Sequence, residues 1–242
     1  MRPTRALVAL LFAAAGVPAT AGPPYITDDP VPTDLAHWEI YAFTAGDGHG
    51  PAFDDATGVD LNYGAFKDIQ LTATVPLALT RDGSRQLRAG TGDLELAVKY
   101  RFLNDERSGI SAAVFPRAIL PTSTLEHGGK TRLLLPMWVE KDFAGGTSLF
   151  GGGGYEINPG PGNRNFWQAG AALTHDVSDR LSLGAEITRQ GSDSVGASGE
   201  TAAGLGAILK LSRSHALLLS GGPTWADHRT GYHVYASLGL DF

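Results

Sequence analysis

Apolar and polar residues alternate with a period of two along most of this chain, and the pattern is clearest in residues 232–242. There Tyr232 and Val234 begin an apolar face that runs to Phe242, while His233 begins the opposite, polar face. Such alternation predicts an extended strand with one apolar side. The same pattern predicts eleven earlier strands, at residues 37–45, 57–66, 68–80, 91–103, 109–120, 131–143, 147–157, 165–177, 180–190, 200–211 and 215–225.

The lengths of these strands and of their connections indicate a membrane barrel. Strands of about nine to thirteen residues cross hydrocarbon at a tilt, whereas strands of soluble proteins usually have about five or six residues. The connections after every second strand are short, and the others, at residues 46–56, 81–90, 121–130, 158–164, 191–199 and 226–231, are longer. This alternation is typical of periplasmic turns and extracellular loops. A secreted soluble sandwich or jelly roll explains the strands but not their length or their connections. The sequence predicts an all-β fold, a 12-stranded antiparallel up-and-down transmembrane β-barrel formed by residues 37–242.

The N-terminus has the features of an export signal. Arg2 and Arg5 precede a twelve-residue apolar stretch at residues 6–17, and Ala19-Thr20-Ala21 has the form of a cleavage site. A membrane-spanning helix needs about 20 apolar residues, so this stretch is too short for one. Residues 1–21 are therefore predicted to be a cleaved signal peptide. The expected location is the outer membrane of a Gram-negative cell.

The composition of the chain excludes several kinds of binding site. The 242 residues include no cysteine, which excludes disulfides and thiolate metal sites, and the net charge of −6 without a basic run argues against a nucleic-acid partner. The glycines at residues 151–154 lack the Lys-Ser/Thr pair of a phosphate loop. No His, Asp and Glu cluster has metal-ligand spacing. We predict no cofactor and no bound metal.

Charged residues lie on the polar faces of several predicted strands, where a barrel would direct them into its lumen. They are Glu95, Lys99, Arg101, Arg117, Glu140, Glu186, Lys210 and Asp241. Their mixed signs fit a pore whose charges set selectivity. They equally fit a network of ion pairs that fills a barrel of intermediate width.

The proline-rich residues 22–36 precede the first strand and carry two adjacent carboxylates, Asp28 and Asp29. One hypothesis is that this lead-in folds into the lumen as a plug or gate, where the carboxylates meet lumenal arginines or a cation. The alternative is a periplasmic tail with an Asx-type turn before Pro30.

Aromatic residues near predicted strand ends are expected to form a girdle at the lipid headgroups. They are Trp38, Trp138, Trp167, Trp225, Tyr100, Phe102, Phe166, Tyr232 and Phe242.

Several stretches resemble the MetA-pathway-of-phenol-degradation family of outer-membrane transporter-like barrels. Residues 22–41 carry its N-terminal signature as Tyr25, Thr27-Asp28-Asp29 and Trp38-Glu39. Further matches are Asn62-Tyr63-Gly64, Val75-Pro76-Leu77, residues 120–123 and 151–158, and the strand of Glu186. The terminal Phe242 is similar to the closing residue of outer-membrane barrels. The resemblance implies passage of small, aromatic or apolar compounds across the outer membrane.

The expected function is thus a passive, porin-like channel or transporter for a small solute. Two alternatives stay open: a structural or interaction barrel without transport, and an outer-membrane lipid hydrolase. A hydrolase needs a Ser–His pair with a third orienting group, and none of the seven histidines has a serine at suitable spacing, so we predict no enzyme activity. The expected partners are outer-membrane lipid and the barrel-assembly machinery, reached through the strand that ends at Phe242.

Overall fold

The computed structural model describes residues 24–81, 85–125 and 129–242, and the predicted signal peptide lies outside these ranges. The described residues form fourteen strand segments. They are β1 (Trp38–His49), β2 (Ala52–Phe66), β3 (Ile69–Arg81), β4 (Leu87–Thr91), β5 (Leu94–Asp105), β6 (Ile110–Val114), β7 (Arg117–Leu120), β8 (Arg132–Phe143), β9 (Thr147–Ile157), β10 (Phe166–Ser178), β11 (Leu181–Gln190), β12 (Glu200–Lys210), β13 (His215–Ala226) and β14 (Arg229–Asp241). Within these ranges, no helix is long and apolar enough to cross a bilayer.

The sheet closes on itself. Every neighbouring pair of segments is antiparallel, and β1 pairs with β14 from Glu39 opposite Asp241 to Gly48 opposite Tyr232. Segments β4 and β5 lie in line along β3, and β6 and β7 lie in line between β5 and β8. The fourteen described segments therefore make twelve barrel strands. Closure leaves no open edge, and the predicted 12-stranded antiparallel barrel is confirmed.

Prolines explain why two barrel strands are interrupted. Proline has no backbone N–H and cannot complete a ladder. Pro116 separates β6 from β7, and Pro136 faces the same gap, with its carbonyl accepting the N–H of Phe115 at 3.1 Å. The gap between β4 and β5 lies beside Pro76, whose carbonyl accepts the N–H of Gly92 at 2.9 Å. The interruptions are local, and the barrel continues through them.

The two faces of the wall differ as the alternation predicts. In β8, Leu135, Met137 and Val139 are exposed on the outside, whereas Trp138 and Glu140 are buried on the inside. An apolar outer surface with a polar interior is the arrangement that suits a barrel surrounded by lipid.

Three expectations from the sequence were wrong. The predicted loop at 46–56 is a two-residue connection at Gly50 and Pro51, and the predicted loop at 226–231 is a tight turn at Asp227 and His228. Asp227 and His228 have positive φ values of 49° and 59°, as a type I′ hairpin requires. The strict alternation of short and long connections therefore fails at both places, because the strands extend through glycines and aspartates that resembled a loop.

The third error concerns the predicted girdle. Trp138 and Phe166 are only 3% and 7% exposed. Both lie on the inward positions of their strands, with neighbours such as Trp167 pointing outwards. Their position near strand ends was compatible with a girdle, but the parity of the strand decides the face.

Candidate functional site: the barrel interior

The N-terminal segment, defined here as residues 24–36, lies inside the barrel. At one end, the hydroxyl of Ser220 on β13 donates a hydrogen bond to the carbonyl of Pro24. Towards the other end, the N–H of Thr33 donates to Oε1 of Gln70 on β3 at 2.8 Å. The segment therefore reaches from one side of the barrel wall to the other. Four prolines in residues 22–36 keep it irregular, so its backbone needs side chains as partners.

Glu186 on β11 is one of the side chains that bind the backbone of the segment. Its two carboxylate oxygens accept the N–H groups of Ile26 at 3.2 Å and Thr27 at 3.1 Å. The neighbouring Tyr25 ring lies over Gly206, where any side chain would overlap it. Burial, reinforced by the negative charge of Glu186, raises the pKa of the Tyr25 hydroxyl to about 12. Glu186 thus fixes the beginning of the segment to the wall.

Asp28 makes the strongest electrostatic contacts of the segment. One carboxylate oxygen lies 3.0 Å from Nζ of Lys99, and the other lies 2.9 Å from the Arg117 guanidinium. Arg117 also reaches Glu95 at 3.2 Å. Charge-assisted hydrogen bonds in a partly desolvated site are stronger than neutral ones. Two cations from β5 and β7 therefore converge on a single carboxylate of the segment.

Lys99 also binds the segment through its backbone. Its ammonium group donates to the carbonyls of Asp29 at 3.0 Å and Val31 at 3.3 Å, and it lies 3.7 Å from the Asp29 carboxylate. The Asp29 carboxylate accepts the N–H of Val31 at 2.7 Å, which forms an Asx turn across Pro30. Burial raises the pKa of Asp29 to about 6, against the opposing charge of Lys99.

The end of the segment rests on polar residues that are not among the site residues predicted from the sequence. Gln70 accepts from Thr33 and donates to Asn62 at 2.7 Å and to Thr72 at 2.9 Å. All three wall residues are buried. Their position on the polar faces of the second and third predicted strands places them in the lumen. They were missed because only charged residues on those faces were considered as candidates.

Gly64 on β2 allows the segment to pass close to the wall before β1 begins. Leu35 forms a bridge with Gly64, and the N–H of Ala36 donates to the Gly64 carbonyl at 2.7 Å. A side chain at Gly64 would overlap the backbone of Asp34. This position therefore requires glycine because of the close approach of the two chains.

The eight charged wall residues all occupy inward positions, but only some of them meet the segment. Glu95, Lys99, Arg117 and Glu186 form its binding site with Asp28 and Asp29. Glu140 is buried on the wall, close enough to Asp29 and Lys99 for their charges to act on it. Arg101 pairs at 2.7 Å with Asp68 in the β2–β3 turn. Lys210 and Asp241 line a separate small cavity near the β12–β13 turn.

A cavity of about 390 Å³ remains beside the segment. Its lining combines the segment with the inner faces of β1, β2, β3, β5, β7, β13 and β14. It includes Asp28, Val31, Tyr41, Asp60 and Tyr235. Pockets of roughly 300–1,000 Å³ hold small organic molecules. The interior is therefore narrowed by the segment, with space left for a small solute.

Among the described residues, serine hydroxyls contact a histidine in the β12–β13 turn. The hydroxyls of Ser212 and Ser214 both lie 3.0 Å from Nδ1 of His215. A hydrolytic triad uses one ring nitrogen for the serine and the other for the acid. Here both hydroxyls share a single nitrogen, so the contact has the geometry of turn stabilisation. Among the described residues, no group of three His, Asp or Glu side chains is placed to hold a metal ion.

The closed sheet, the apolar exterior and the charged interior define a β-barrel of the outer-membrane type. No family model matches the chain, and no curated protein sequence matches it. Among solved structures, the COG4313 outer membrane channel from Pseudomonas putida F1 is similar, with a TM-score of 0.70 at 11% identity over 86% of this chain and 96% of that chain. The KdgM porin has a TM-score of 0.58 at 9% identity, over 82% of this chain and 97% of that chain. The NanC porin has a TM-score of 0.58 at 7% identity, over 84% of this chain and 98% of that chain. At such identities the likeness shows a shared fold.

Proposed function

We propose that this protein is a passive channel or transporter for a small solute in the outer membrane, with the N-terminal segment as its gate. The observation that carries the proposal is the cavity of about 390 Å³ inside the wall, lined by the segment itself. A solute crossing the barrel must pass this narrowed zone. The fold shared with the COG4313 channel and two porins supports the same function.

Small aromatic or apolar solutes are the substrate class that we favour. Tyr41, Phe43, Phe115 and Tyr235 contribute aromatic surface to the cavity. The resemblance of residues 22–41 to the phenol-degradation family points in the same direction. Aromatic walls bind apolar bodies through their large contact area.

Outer-membrane insertion through the C-terminal strand belongs to the same proposal. The Phe242 side chain is 64% exposed, and its N–H and carbonyl pair with Trp38 at 3.1 and 2.8 Å. An exposed aromatic directly after β14 is accessible to the barrel-assembly machinery and then to lipid.

A structural barrel without transport is the second candidate. The salt bridges of Asp28 with Lys99 and Arg117 favour it, because they hold the segment across the lumen. The two candidates predict different conductance after the segment is removed.

The test is deletion of residues 22–36 from the mature protein, with single-channel conductance measured in planar bilayers. We expect a severalfold rise in conductance, because the segment fills the passage. A control protein keeps the length but replaces residues 22–36 with Gly-Ser repeats, which lack the carboxylates and prolines. It should also conduct more than the native protein. Unchanged conductance in both proteins would contradict the gate, and no conductance above bare lipid would support the structural barrel.

A further inference from the structure

The cavity has an aromatic wall on one side. Tyr41 and Phe43 on β1 and Tyr235 on β14 line it, and the rings of Phe43 and Tyr235 are stacked with centroids 6.4 Å apart and an interplanar angle of 11°. Phe43 faces Gly58 in the β1–β2 register, so the neighbouring strand places no side chain beside the ring. Aromatic faces attract cations through their quadrupole.

Carboxylates lie directly beside this wall. Asp60 on β2 faces Tyr41 in register and accepts hydrogen bonds from Thr74 at 2.8 Å and Asn62 at 3.4 Å. Glu39 accepts one from the Tyr41 hydroxyl at 3.0 Å. Neither carboxylate forms a salt bridge within the described part of the chain. Their hydrogen-bond partners are neutral groups, and the cations that act on them through space, Lys99 on Glu39 and Arg117 on Asp60, are themselves paired with other carboxylates.

The cations of the cavity are already engaged. Lys99 binds the segment, and Arg117 binds both the segment and Glu95. Both cations also lie over the Phe115 ring, at 4.8 and 4.3 Å from its centroid. An anionic solute would have to displace these contacts. The lining as a whole holds five carboxylates, from Asp28, Asp29, Glu39, Asp60 and Glu95, against the two cations Lys99 and Arg117.

We propose that this cavity selects small organic ammonium ions, with the apolar body against Tyr41, Phe43 and Tyr235 and the ammonium group on Asp60 and Glu39. The assignment rests on the proposed function, because the cavity is taken as part of the solute path. It names a substrate charge that the fold alone does not specify. Cation–π contact and a carboxylate act on the same charged group, so their contributions reinforce each other.

Three probes of one size separate charge from shape. Benzylammonium, benzyl alcohol and benzoate share a monoaromatic ring and differ in charge. Binding to the detergent-purified full-length mature protein at pH 7.5 is measured by isothermal titration calorimetry. We expect benzylammonium to bind at least tenfold more tightly than benzyl alcohol, and benzoate not to bind measurably. Equal affinities for the three probes would overturn the proposal.

Asp60→Asn tests the role of the Asp60 carboxylate in binding the ammonium group. It preserves the side-chain shape but removes the charge, and we expect about a tenfold loss of benzylammonium affinity with benzyl alcohol binding unchanged. The matched control is Asp55→Asn on the same strand. Asp55 lies on the outward face, where it accepts a hydrogen bond from Thr44 at 2.9 Å. Equal benzylammonium affinity in the two variants would overturn the assignment.

Liposome swelling distinguishes this proposal from the function on which it rests. If benzyl alcohol crosses protein-containing liposomes while the ammonium preference is missing, the channel stands and the cation assignment fails. If benzylammonium binds as expected but no solute crosses faster than through protein-free liposomes, the site stands and the channel fails.

Discussion

Lys99 is the residue on which the N-terminal segment converges. Its side chain is only 5% exposed, and it binds the Asp28 carboxylate and the carbonyls of Asp29 and Val31 together. A buried charge that loses its partner is costly, because neither water nor another ion replaces it. The position of the segment therefore depends on a small number of charged contacts.

We predict that Lys99→Met releases the segment. Asp28 would keep only Arg117, and breaking such a buried pair costs about 3–5 kcal/mol. A cysteine placed at the buried Thr27 reports the release through its rate of maleimide labelling. We expect that rate to rise about a hundredfold or more when Lys99→Met is added, since each 1.4 kcal/mol is a factor of ten. Lys210→Met is the control, because Lys210 lines the other cavity. Equal labelling in the two backgrounds would contradict the role of Lys99.

At the scale of elements, the N-terminal segment and the wall are complementary surfaces. Gly170 on β10 is the clearest case, because a Cβ built there lies 3.3 Å from the Cβ of Thr27. Thr27 is itself fully buried. The strand leaves space where the segment passes, and the segment fills it without regular secondary structure.

This complementarity allows a reversible lock. The double variant Thr27→Cys with Gly170→Cys places two cysteine Cβ atoms near the ~3.8 Å separation found in disulfides. The chain has no other cysteine. If the segment moves during permeation, the oxidised protein conducts less than the same protein after dithiothreitol. The single variants should not respond to the reductant. Equal conductance before and after reduction would show that permeation does not require movement at this point.

The whole molecule is organised by closure of one sheet. With β1 joined to β14, every strand has two neighbours, and its two faces meet different surroundings. The inside holds the ion pairs of the segment, whereas exposed side chains such as Leu77, Leu173 and Leu205 lie outside. In lipid, only a closed barrel satisfies the backbone polar groups of a sheet.

A charge placed on the outer face tests this arrangement. Ala171 lies mid-way along β10, and Val177 lies near the end of the same outward row. Ala171→Arg should lower the free energy of unfolding in liposomes by about 2–4 kcal/mol, against about 0–1 kcal/mol for Val177→Arg, because the cost of a charge depends on depth in the bilayer. Urea unfolding followed by tryptophan fluorescence measures both values. Small and equal costs would mean that this face does not contact hydrocarbon.

The sequence alone was sufficient for most of the strands and for the number of barrel strands. Period-two alternation is a local property, so most predicted strands agree with the structure within a few residues, and the predicted strand at 147–157 coincides with β9. It failed at residues 46–56 because the β-propensity of glycine and aspartate depends on what pairs beside them.

Only the tertiary structure decided the contents of the barrel. Residues 22–36 have no periodicity, and this lack of pattern did not decide between the two hypotheses for Asp28 and Asp29. Asp28 meets Lys99 across 71 positions, and the N–H of Ile26 meets Glu186 across 160 positions. Such pairs depend on strand register, on closure of the sheet and on where glycines leave space. The local alternation of apolar and polar residues specifies none of these.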